Sequence, residues 1–330
     1  MTPSPKTLEI WTIDDGREGM ASQTSGLAGE IAALVPAHIS THRVRRKLFG
    51  KATASRPGEG MHAPWPDLCI GCGRASIPYQ RAMRGWSGGQ TFTVQLQDPR
   101  CDPKLFDLVI PPEHDNLSGG NVFPILGAPV RNVEARLAST EADFADKMSS
   151  FPRPRLAVVL GGHSRHHKFS AGARKRLLAA LQGLEDNQIS LLVTTSRRTP
   201  GHVRRALRSH FKGKANAWLW TGATDDGANP YFAFLQAADA VLVSNDSTSM
   251  ITDAASAGRP ILLFALDGQN ARFERFYDAL ARRGMLRPFT GGLITWPVQP
   301  LCETRRAAME TMRRLYRHWQ SHGRHAKSGG

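Results

Sequence analysis

Cysteine is scarce in this sequence. The 330 residues include four cysteines, namely Cys69, Cys72, Cys101 and Cys302. A structural zinc site usually needs two close pairs of ligands, and only Cys69 and Cys72 form a CxxC pair. Because Cys69 lies inside the apolar pattern DLCIGCG, we interpret it as a small buried residue. Metal binding and disulfide exchange are therefore not expected of this pair.

Long apolar runs are also missing. The run LEIWTI at 8–13 is too short for the apolar region of a signal peptide, and two carboxylates follow it. No apolar run approaches the roughly 18 residues that cross a bilayer. We expect a cytoplasmic protein. If the protein associates with a membrane, we expect a peripheral location on the inner face of the cytoplasmic membrane.

Negative charge is in short supply as well. Lys and Arg number 43 against 28 Asp and Glu, which gives a net charge of +15. The basic residues fall in small separate clusters, without a nucleic-acid-binding signature and without interleaved aromatic residues. We therefore expect no nucleic-acid partner. A positive surface suits phosphorylated ligands, an anionic membrane surface or a lipid-linked substrate.

The length allows two domains, and both halves of the chain alternate predicted strands with predicted helices. Apolar strands that alternate with helices are typical of parallel sheets covered on both faces. The fold class predicted is α/β, with two Rossmann-like domains that face a cleft. The strands are predicted at 7–13, 67–73, 92–97, 106–112, 122–126, 156–162, 189–196, 217–220, 240–244 and 261–264.

Composition predicts the domain limits. The proline-rich segment FPRPR at 151–155 interrupts a helical, charged stretch, so we place the first domain at 1–150 and the second at 151–300. A helix at 301–320 has Ala308, Met312 and Leu315 on one face, and we expect it to pack back toward the first domain. The segment 45–66 is predicted to be a long basic loop, and 321–330 a disordered tail.

Three polar loops follow strands of the second domain, at 161–170, 194–200 and 244–250. Each precedes a helix, so each offers unpaired backbone N–H groups and the positive end of a helix dipole, where phosphate binds readily. We expect these loops to lie on one edge of a parallel sheet. The candidate phosphate-binding residues are Gly161, Gly162, Ser164, Arg165, Lys168, Thr195, Ser196, Arg197, Asp246, Ser247, Thr248, Ser249 and Met250.

Simpler interpretations of these loops remain open. Asp246 or Ser247 could merely cap an ordinary helix, and the segment GGHSRHHKFS could be a solvated basic turn. Its three histidines have no carboxylate or cysteine nearby in sequence, so we do not expect a metal site. Asp253 lies about one turn into the following helix. It could accept hydrogen bonds from a sugar diol, or it could be a first-turn acid that the helix dipole favours.

Several segments together resemble the bacterial branch of the mitochondrial fission ELM1-like family. They are WTIDDGREGMASQTSGLA, VIPPEHD, LGAPVR, LGGHSRHHKFS and SNDSTSMITDAASAGRP. The resemblance runs from about residue 8 to about residue 320. The family looks related to glycosyltransferases of the GT-B architecture, whose C-terminal domain binds a nucleotide-sugar donor and whose N-terminal domain contacts the acceptor. The resemblance implies that no metal and no other cofactor is required.

The resemblance also implies roles for individual residues. It places donor phosphates at Gly162, Ser164 and the serine–threonine run 247–249, and the ribose diol at Asp253. Related glycosyltransferases usually carry glutamate at that last position. An inverting transfer needs a base for the acceptor hydroxyl. The candidates at strand ends of the first domain are Asp14, Asp15, His114 and Asp115.

The base candidates also have simpler interpretations. Asp14 and Asp15 could form a β-turn with Gly16, and His114 could be a polar loop residue after two prolines.

Two functions follow from this resemblance. The first is a glycosyltransferase that moves a sugar from a nucleoside diphosphate to an envelope glycolipid-like acceptor at a membrane. Arg165, Lys168 and Arg197 would neutralise its leaving diphosphate. The second is a scaffold of the same fold that has lost catalysis and recruits a protein partner to a membrane surface. The plant relative that gives the family its name recruits a dynamin-like protein to mitochondria.

Overall fold

The chain forms two compact α/β units. The structure, a computed structural model, describes residues 7–44, 54–129 and 133–322. The first unit comprises residues 1–132 and 302–330, and the second comprises residues 133–301. Each unit contains one parallel sheet with helices, which confirms the predicted fold class.

The first unit contains a five-stranded sheet in the order β2-β1-β3-β4-β5, with all strands parallel. Strand β1 has neighbours on both sides and lies where the chain reverses its direction of winding. The elements are β1 (Leu8–Asp14), α1 (Glu18–Leu34), β2 (Ala37–Arg43), β3 (Leu68–Cys72), α2 (Ile77–Trp86), β4 (Phe92–Leu96) and β5 (Leu108–Ile110).

Both faces of this sheet are buried. Leu68 and Ile70 of β3 contribute to the cluster that includes Leu27 of α1, whereas Cys69 packs on the other face with Met83 of α2. Successive side chains of a strand point to opposite faces of the sheet, so the side chains of two residues three positions apart also point to opposite faces. Cys72 accordingly joins the first cluster. The CxxC pair is thus divided between two apolar clusters, where burial raises the pKa of both thiols.

The second unit contains a six-stranded parallel sheet in the order β11-β10-β9-β6-β7-β8. Winding reverses between β6 and β9, the position at which open sheets bind ligands. The elements are α3 (Val133–Ser149), β6 (Arg155–Leu160), α4 (Ala171–Asp186), β7 (Ser190–Thr195), α5 (Gly201–Phe211), β8 (Ala217–Trp220), α6 (Tyr231–Ala237), β9 (Ala240–Ser244), α7 (Thr248–Ser256), β10 (Ile261–Phe264), α8 (Ala271–Arg282) and β11 (Leu286–Pro288).

The last helix, α9 (Glu303–Ser321), belongs to the first unit. Its residues Ala307, Ala308, Met312 and Leu315 are buried in the cluster that α1 contributes to. The Glu303 carboxylate accepts a hydrogen bond from the Leu126 N–H at 2.9 Å. The apolar face of this amphipathic helix thus packs into the core of the first unit.

The contacts place the boundary between the units at residue 132, whereas composition suggested residue 150. The physical reason is that α3 packs against α6 of the second unit. The Arg136 guanidinium of α3 lies 3.8 Å from the centre of the Phe232 ring of α6. The proline-rich segment that suggested the boundary therefore follows the first helix of the second unit.

Three further differences concern strands, and one is that β11 (Leu286–Pro288) was not predicted. The segment at 122–126 forms only isolated bridges, Val109 to Val122 and Pro112 to Ile125, because Pro111 has no N–H to donate to the Phe123 carbonyl between them. Strand β2 was not predicted: its sequence AHISTHR is polar, since it is an edge strand whose side chains are mostly exposed.

Two predicted segments lie partly outside the described residues. Of the predicted loop at 45–66, residues 45–53 lie outside, and residues 54–66 form an irregular segment. Of the predicted tail at 321–330, residues 323–330 lie outside. Among the helices that the structure describes, none combines the length and the apolar content needed to cross a membrane.

Gly71 gives a test of this packing. A Cβ at Gly71 of β3 would lie 2.5 Å from Gln80 Nε2, and that amide bridges the Cys69 and Val94 carbonyls of β3 and β4. We expect Gly71→Ala to lower the free energy of unfolding by about 1–3 kcal/mol, because the buried bridge must shift. Urea denaturation of the whole chain measures the change.

The matched control is Gly85→Ala, in an exposed position of α2 where a Cβ meets nothing within 4 Å. This change should be neutral or stabilise by up to about 1 kcal/mol, since alanine favours helix. Equal stability of the two variants would contradict the described contact between β3 and Gln80.

Candidate functional site

Three loops meet at the carboxyl edge of the second sheet. They follow β6, β7 and β9, which are neighbours in that sheet, and they carry most of the candidate residues. Because all strands of the sheet are parallel, their carboxyl ends share this edge. The winding reversal between β6 and β9 falls at its centre.

A buried carboxylate joins the three loops. The side chain of Asp246, just after β9, is fully buried. It accepts hydrogen bonds from the Ser244 hydroxyl at 2.7 Å and from the Gly162 N–H at 2.9 Å. The Arg198 guanidinium, from the loop after β7, pairs with it at 2.9 Å. Asp246 is therefore satisfied by the protein itself.

The glycine pair has a different role from the one that the sequence suggested. The Gly161 N–H donates to Ser244 Oγ at 2.7 Å, so neither glycine N–H is free for an anion. A Cβ at Gly161 would lie 2.1 Å from Asp246 Oδ1, and one at Gly162 would lie 1.9 Å from the Arg198 carbonyl oxygen. The glycines allow the three loops to pack against one another.

The rest of the loop after β6 is folded on itself. The Ser164 hydroxyl accepts hydrogen bonds from the N–H groups of His166 at 3.3 Å and His167 at 3.0 Å. His163 Nδ1 accepts from the Phe169 N–H at 3.1 Å. The loop therefore forms a turn of its own. The Ser164 hydroxyl, which we expected to bind a phosphate, also lies 3.4 Å from His167 Nδ1 and is engaged within this turn. Arg165 and Lys168 are exposed on this turn.

The loop after β7 is held in a similar way. Ser196 Oγ accepts from the Arg198 N–H at 3.1 Å, and Thr195 Oγ1 donates to the Thr221 carbonyl at 3.3 Å. Thr199, which the sequence did not single out, hydrogen bonds to the Gly161 carbonyl. Arg197 is exposed beside this loop. The cationic side chains of both loops therefore lie at the surface.

The start of α7 is the open part of this edge. Ser247 is the N-cap, and its hydroxyl accepts from the Met250 N–H at 3.4 Å. The first amides of a helix have no intrahelical acceptor. Within the part of the chain that the structure describes, no hydrogen bond engages the amides or hydroxyls of Thr248 and Ser249. Ser249 is exposed. Two amides, two hydroxyls and a helix dipole are thus available to an anion.

Asp253 lies on α7, one turn beyond these amides. The Tyr231 hydroxyl of α6 donates to Asp253 Oδ2 at 3.0 Å. Burial raises the pKa of Asp253 to about 7, although the Tyr231 hydrogen bond and the charge of Arg136 act in the opposite direction. Tyr231 was not predicted from the sequence, because nothing in its local pattern reveals a partner 22 residues away.

In the first unit, Asp14 and Asp15 have partners of their own. Asp14 is buried and accepts hydrogen bonds from the Gly16 N–H at 2.7 Å and from the Thr24 hydroxyl at 3.2 Å. Asp15 accepts from Arg17 Nε at 2.8 Å. Burial raises the pKa of Asp15, but the contacts with Arg17 outweigh it, so the net shift is downward. Both carboxylates stabilise the turn after β1, which suits a base poorly.

His114 and Asp115 form a buried pair in a single 3-10 turn after β5. The His114 Nε2 atom lies 3.8 Å from Asp115 Oδ1, and both side chains are nearly inaccessible to solvent. A carboxylate this close to an imidazole can help to orient the ring. Of the four base candidates, this pair therefore has the arrangement that suits proton transfer best.

Metal ligands are not clustered in the described chain. Across residues 7–44, 54–129 and 133–322, no group of three or more His, Cys, Asp or Glu side chains is placed to hold a metal ion. Of the histidines 163, 166 and 167, His167 is fully buried and stacks on Phe273, with ring centres 5.4 Å apart.

Known proteins resemble both the sequence and the fold. The family model described as "Mitochondrial fission ELM1" matches residues 18–315. The mitochondrial fission protein ELM1 of Arabidopsis thaliana is 28% identical over 276 residues, which cover 76% of this chain and 64% of that protein. The chain therefore spans about 64% of the length of this plant relative.

Two solved structures share the fold. The UDP-GlcNAc 2-epimerase of Methanocaldococcus jannaschii gives a TM-score of 0.54 at 11% identity, over 93% of this chain and 92% of that one. Glycyrrhiza uralensis UGT73P12, complexed with glycyrrhetinic acid 3-O-monoglucuronide, gives a TM-score of 0.54 at 11% identity, over 96% of this chain and 91% of that one. These likenesses show a GT-B-like fold. By the match of its sequence over residues 18–315, the chain belongs to the mitochondrial fission ELM1 family.

Proposed function

We propose that this protein is a glycosyltransferase of the GT-B type, which moves a sugar from a nucleoside diphosphate to a membrane-associated acceptor without a metal ion. One observation carries the proposal. The available amides at the start of α7 lie one turn from the Asp253 carboxyl, at the point where the second sheet reverses its winding. That combination suits a diphosphate joined to a ribose.

In this proposal, each group has one task. The amides and hydroxyls of Thr248 and Ser249 bind the diphosphate, and the helix dipole favours its negative charge. The Asp253 carboxylate accepts hydrogen bonds from the ribose hydroxyls through the oxygen that Tyr231 does not contact. The exposed side chains of Arg165, Lys168 and Arg197 lie in the neighbouring loops and neutralise the diphosphate as it leaves.

The name of one structural neighbour supports a nucleotide sugar as the ligand. The M. jannaschii enzyme is named as an epimerase of UDP-GlcNAc, a nucleotide sugar, whereas the glucuronide in the Glycyrrhiza structure is a glycoside and supports only a sugar-containing ligand. We assign acceptor activation to His114, which lies next to Asp115, because Asp14 and Asp15 stabilise a turn. The net charge of +15 favours an acceptor in an anionic membrane, such as an envelope glycolipid.

A non-catalytic scaffold is the second candidate, and specific observations favour it. Both glycine amides and the Asp246 carboxylate are used within the protein, so this edge contains fewer free donors than the sequence suggested. In this alternative, the protein recruits a partner protein to a membrane. The Arabidopsis relative is named for mitochondrial fission rather than for an enzymatic reaction.

The two candidates differ in their response to nucleotides. We expect UDP or another nucleoside diphosphate to raise the melting temperature of the protein, because the ligand binds only the folded state. Ser249→Glu should abolish this shift or weaken binding at least tenfold. The new carboxylate would occupy the anion site, although an acidic residue in a first helical turn stabilises the helix by about 0.3–1 kcal/mol.

Ser249→Gln is the matched control, since it has the same length without the charge. It should lose much less affinity than Ser249→Glu. Thermal-shift and calorimetric titrations measure both variants. If no nucleoside diphosphate or nucleotide sugar changes the melting temperature of the unaltered protein, the scaffold function is favoured.

The raised pKa of Asp253 predicts how UDP binding depends on pH. Hydroxyl groups donate to the ionised carboxyl, and a pKa of about 7 means that this form is lost as the pH falls below 7. The affinity should therefore fall by up to about tenfold per pH unit below 7 and become constant above it. Asp253→Asn should remove this dependence, and the difference between the two profiles excludes the titration of the phosphate itself.

The raised pKa of Asp253 also makes the stability of the folded protein depend on pH. The pKa of Asp253 is higher in the folded protein than its usual value of 3.8, so the folded state keeps a proton that the unfolded state loses. The contribution of this group to stability is lost as the pH rises from about 4 to about 7. Asp253→Asn should therefore raise the melting temperature more at pH 8 than at pH 5, and a larger effect at pH 5 would contradict the shift.

A further inference from the structure

A cavity lies at one edge of the second sheet, opposite the edge that carries the candidate nucleotide site. It has a volume of about 390 Å³ and is lined by residues of α3, α6 and the segments that precede strands. Arg155 begins β6 and Arg259 comes just before β10, so the cavity is at the amino-terminal edge. Strand β6 has six residues. At about 3.3 Å per residue, about 20 Å separates this edge from the candidate nucleotide site.

The cavity has an excess of positive charge. Arg153, Arg155 and Arg259 line it, and no carboxylate is among its lining residues. Asp239 forms an ion pair with Arg153 and accepts a hydrogen bond from the Arg155 N–H at 2.8 Å. Among the contacts of the described residues, no second carboxylate pairs with these three guanidinium groups, so about two positive charges have no acidic partner. Burial, followed by repulsion from Arg153, lowers the pKa of both Arg155 and Arg259.

Two of these arginines are held in place by backbone carbonyls. Arg259 Nε donates to the Leu235 carbonyl of α6 at 3.1 Å, and Arg155 Nε donates to the Phe151 carbonyl at 2.6 Å. A guanidinium has five N–H donors in a planar fork, so each arginine retains donors for a ligand. Such preorganised forks match the geometry of phosphate oxygens.

The remaining walls of the cavity are mainly apolar. Phe144 and Met148 of α3 face Ala233 and Ala237 of α6 across it. A volume of about 390 Å³ lies within the range of small-molecule sites, which typically combine an apolar lining with a few polar groups. The cavity thus suits a ligand with an anionic head and an apolar body.

We propose that this cavity binds an amphiphilic phosphate, meaning a phosphate monoester attached to a hydrocarbon or aromatic group. A phosphate monoester carries nearly two negative charges at neutral pH, which match the two unpaired positive charges. A single carboxylate would compensate only one of them. The site is separate from the proposed nucleotide site, since it uses other loops and the opposite edge of the sheet.

Calorimetric titration of the whole chain with octyl phosphate, below its micelle concentration, tests this proposal. We expect one molecule to bind per chain, at least tenfold more tightly than inorganic phosphate or octyl glucoside. Inorganic phosphate tests the head alone, and octyl glucoside tests the tail with a neutral head. UDP should not compete with octyl phosphate, because the two ligands occupy different sites.

Variants test the cationic part and the apolar part of the cavity independently. Arg153→Gln should weaken octyl phosphate binding at least tenfold, and Arg153→Lys should weaken it less. Ala237→Leu should fill the apolar half and reduce the affinity for octyl phosphate to that for inorganic phosphate. Arg282→Gln, at an exposed arginine of α8, should change nothing.

Several results would overturn the proposal. One is octyl phosphate that binds no more tightly than octyl glucoside, and another is octyl phosphate that binds no more tightly than inorganic phosphate. A third is unchanged affinity in Arg153→Gln, which remains informative even if Ala237→Leu fails to fold. Circular dichroism of each variant establishes that it is folded before titration.

Discussion

The arrangement of the candidate nucleotide site depends on one buried carboxylate. Asp246 joins the ends of β6, β7 and β9 through Gly162, Arg198 and Ser244, and no room for a Cβ is left at Gly161. A buried charge is tolerated only when it is paired and hydrogen bonded, so these contacts hold the three loops together. The start of α7 follows Asp246 directly, and its open amides are therefore presented on a rigid edge.

This arrangement explains which predictions from sequence succeeded. Strands such as 240–244 and 261–264 were located from apolar runs because buried parallel strands are apolar on both faces. Edge strand β2 was missed because it is polar and exposed. The shared edge on which the loops lie could be predicted, because it follows from the parallel topology. The contacts between the loops could not be predicted, since residues such as Asp246 and Gly162 lie 84 positions apart in the sequence. The sequence also could not distinguish polar residues that form hydrogen bonds within the loops from polar residues that remain available to a ligand.

Cationic side chains lie at both edges of the second sheet, but their environments differ. Exposed cations surround the carboxyl edge, where the open amides of α7 lie. At the amino-terminal edge, Arg153 is exposed, whereas Arg155 and Arg259 are partly buried. Each edge thus favours phosphate for a different reason. Helix dipole and free amides act at the first, and desolvated guanidinium groups act at the second. Under the two proposals, one sheet would bind a nucleotide and an amphiphile without competition.

A crystal structure of the protein with UDP is the decisive test of the nucleotide site. We expect the diphosphate within about 3 Å of the Thr248 and Ser249 amides, with the ribose hydroxyls on the Asp253 oxygen that Tyr231 does not contact. Asp246 should keep its bonds to Gly162 and Arg198. A nucleotide bound elsewhere on the chain, or no bound nucleotide at a saturating concentration, would rule out a nucleotide site at the start of α7.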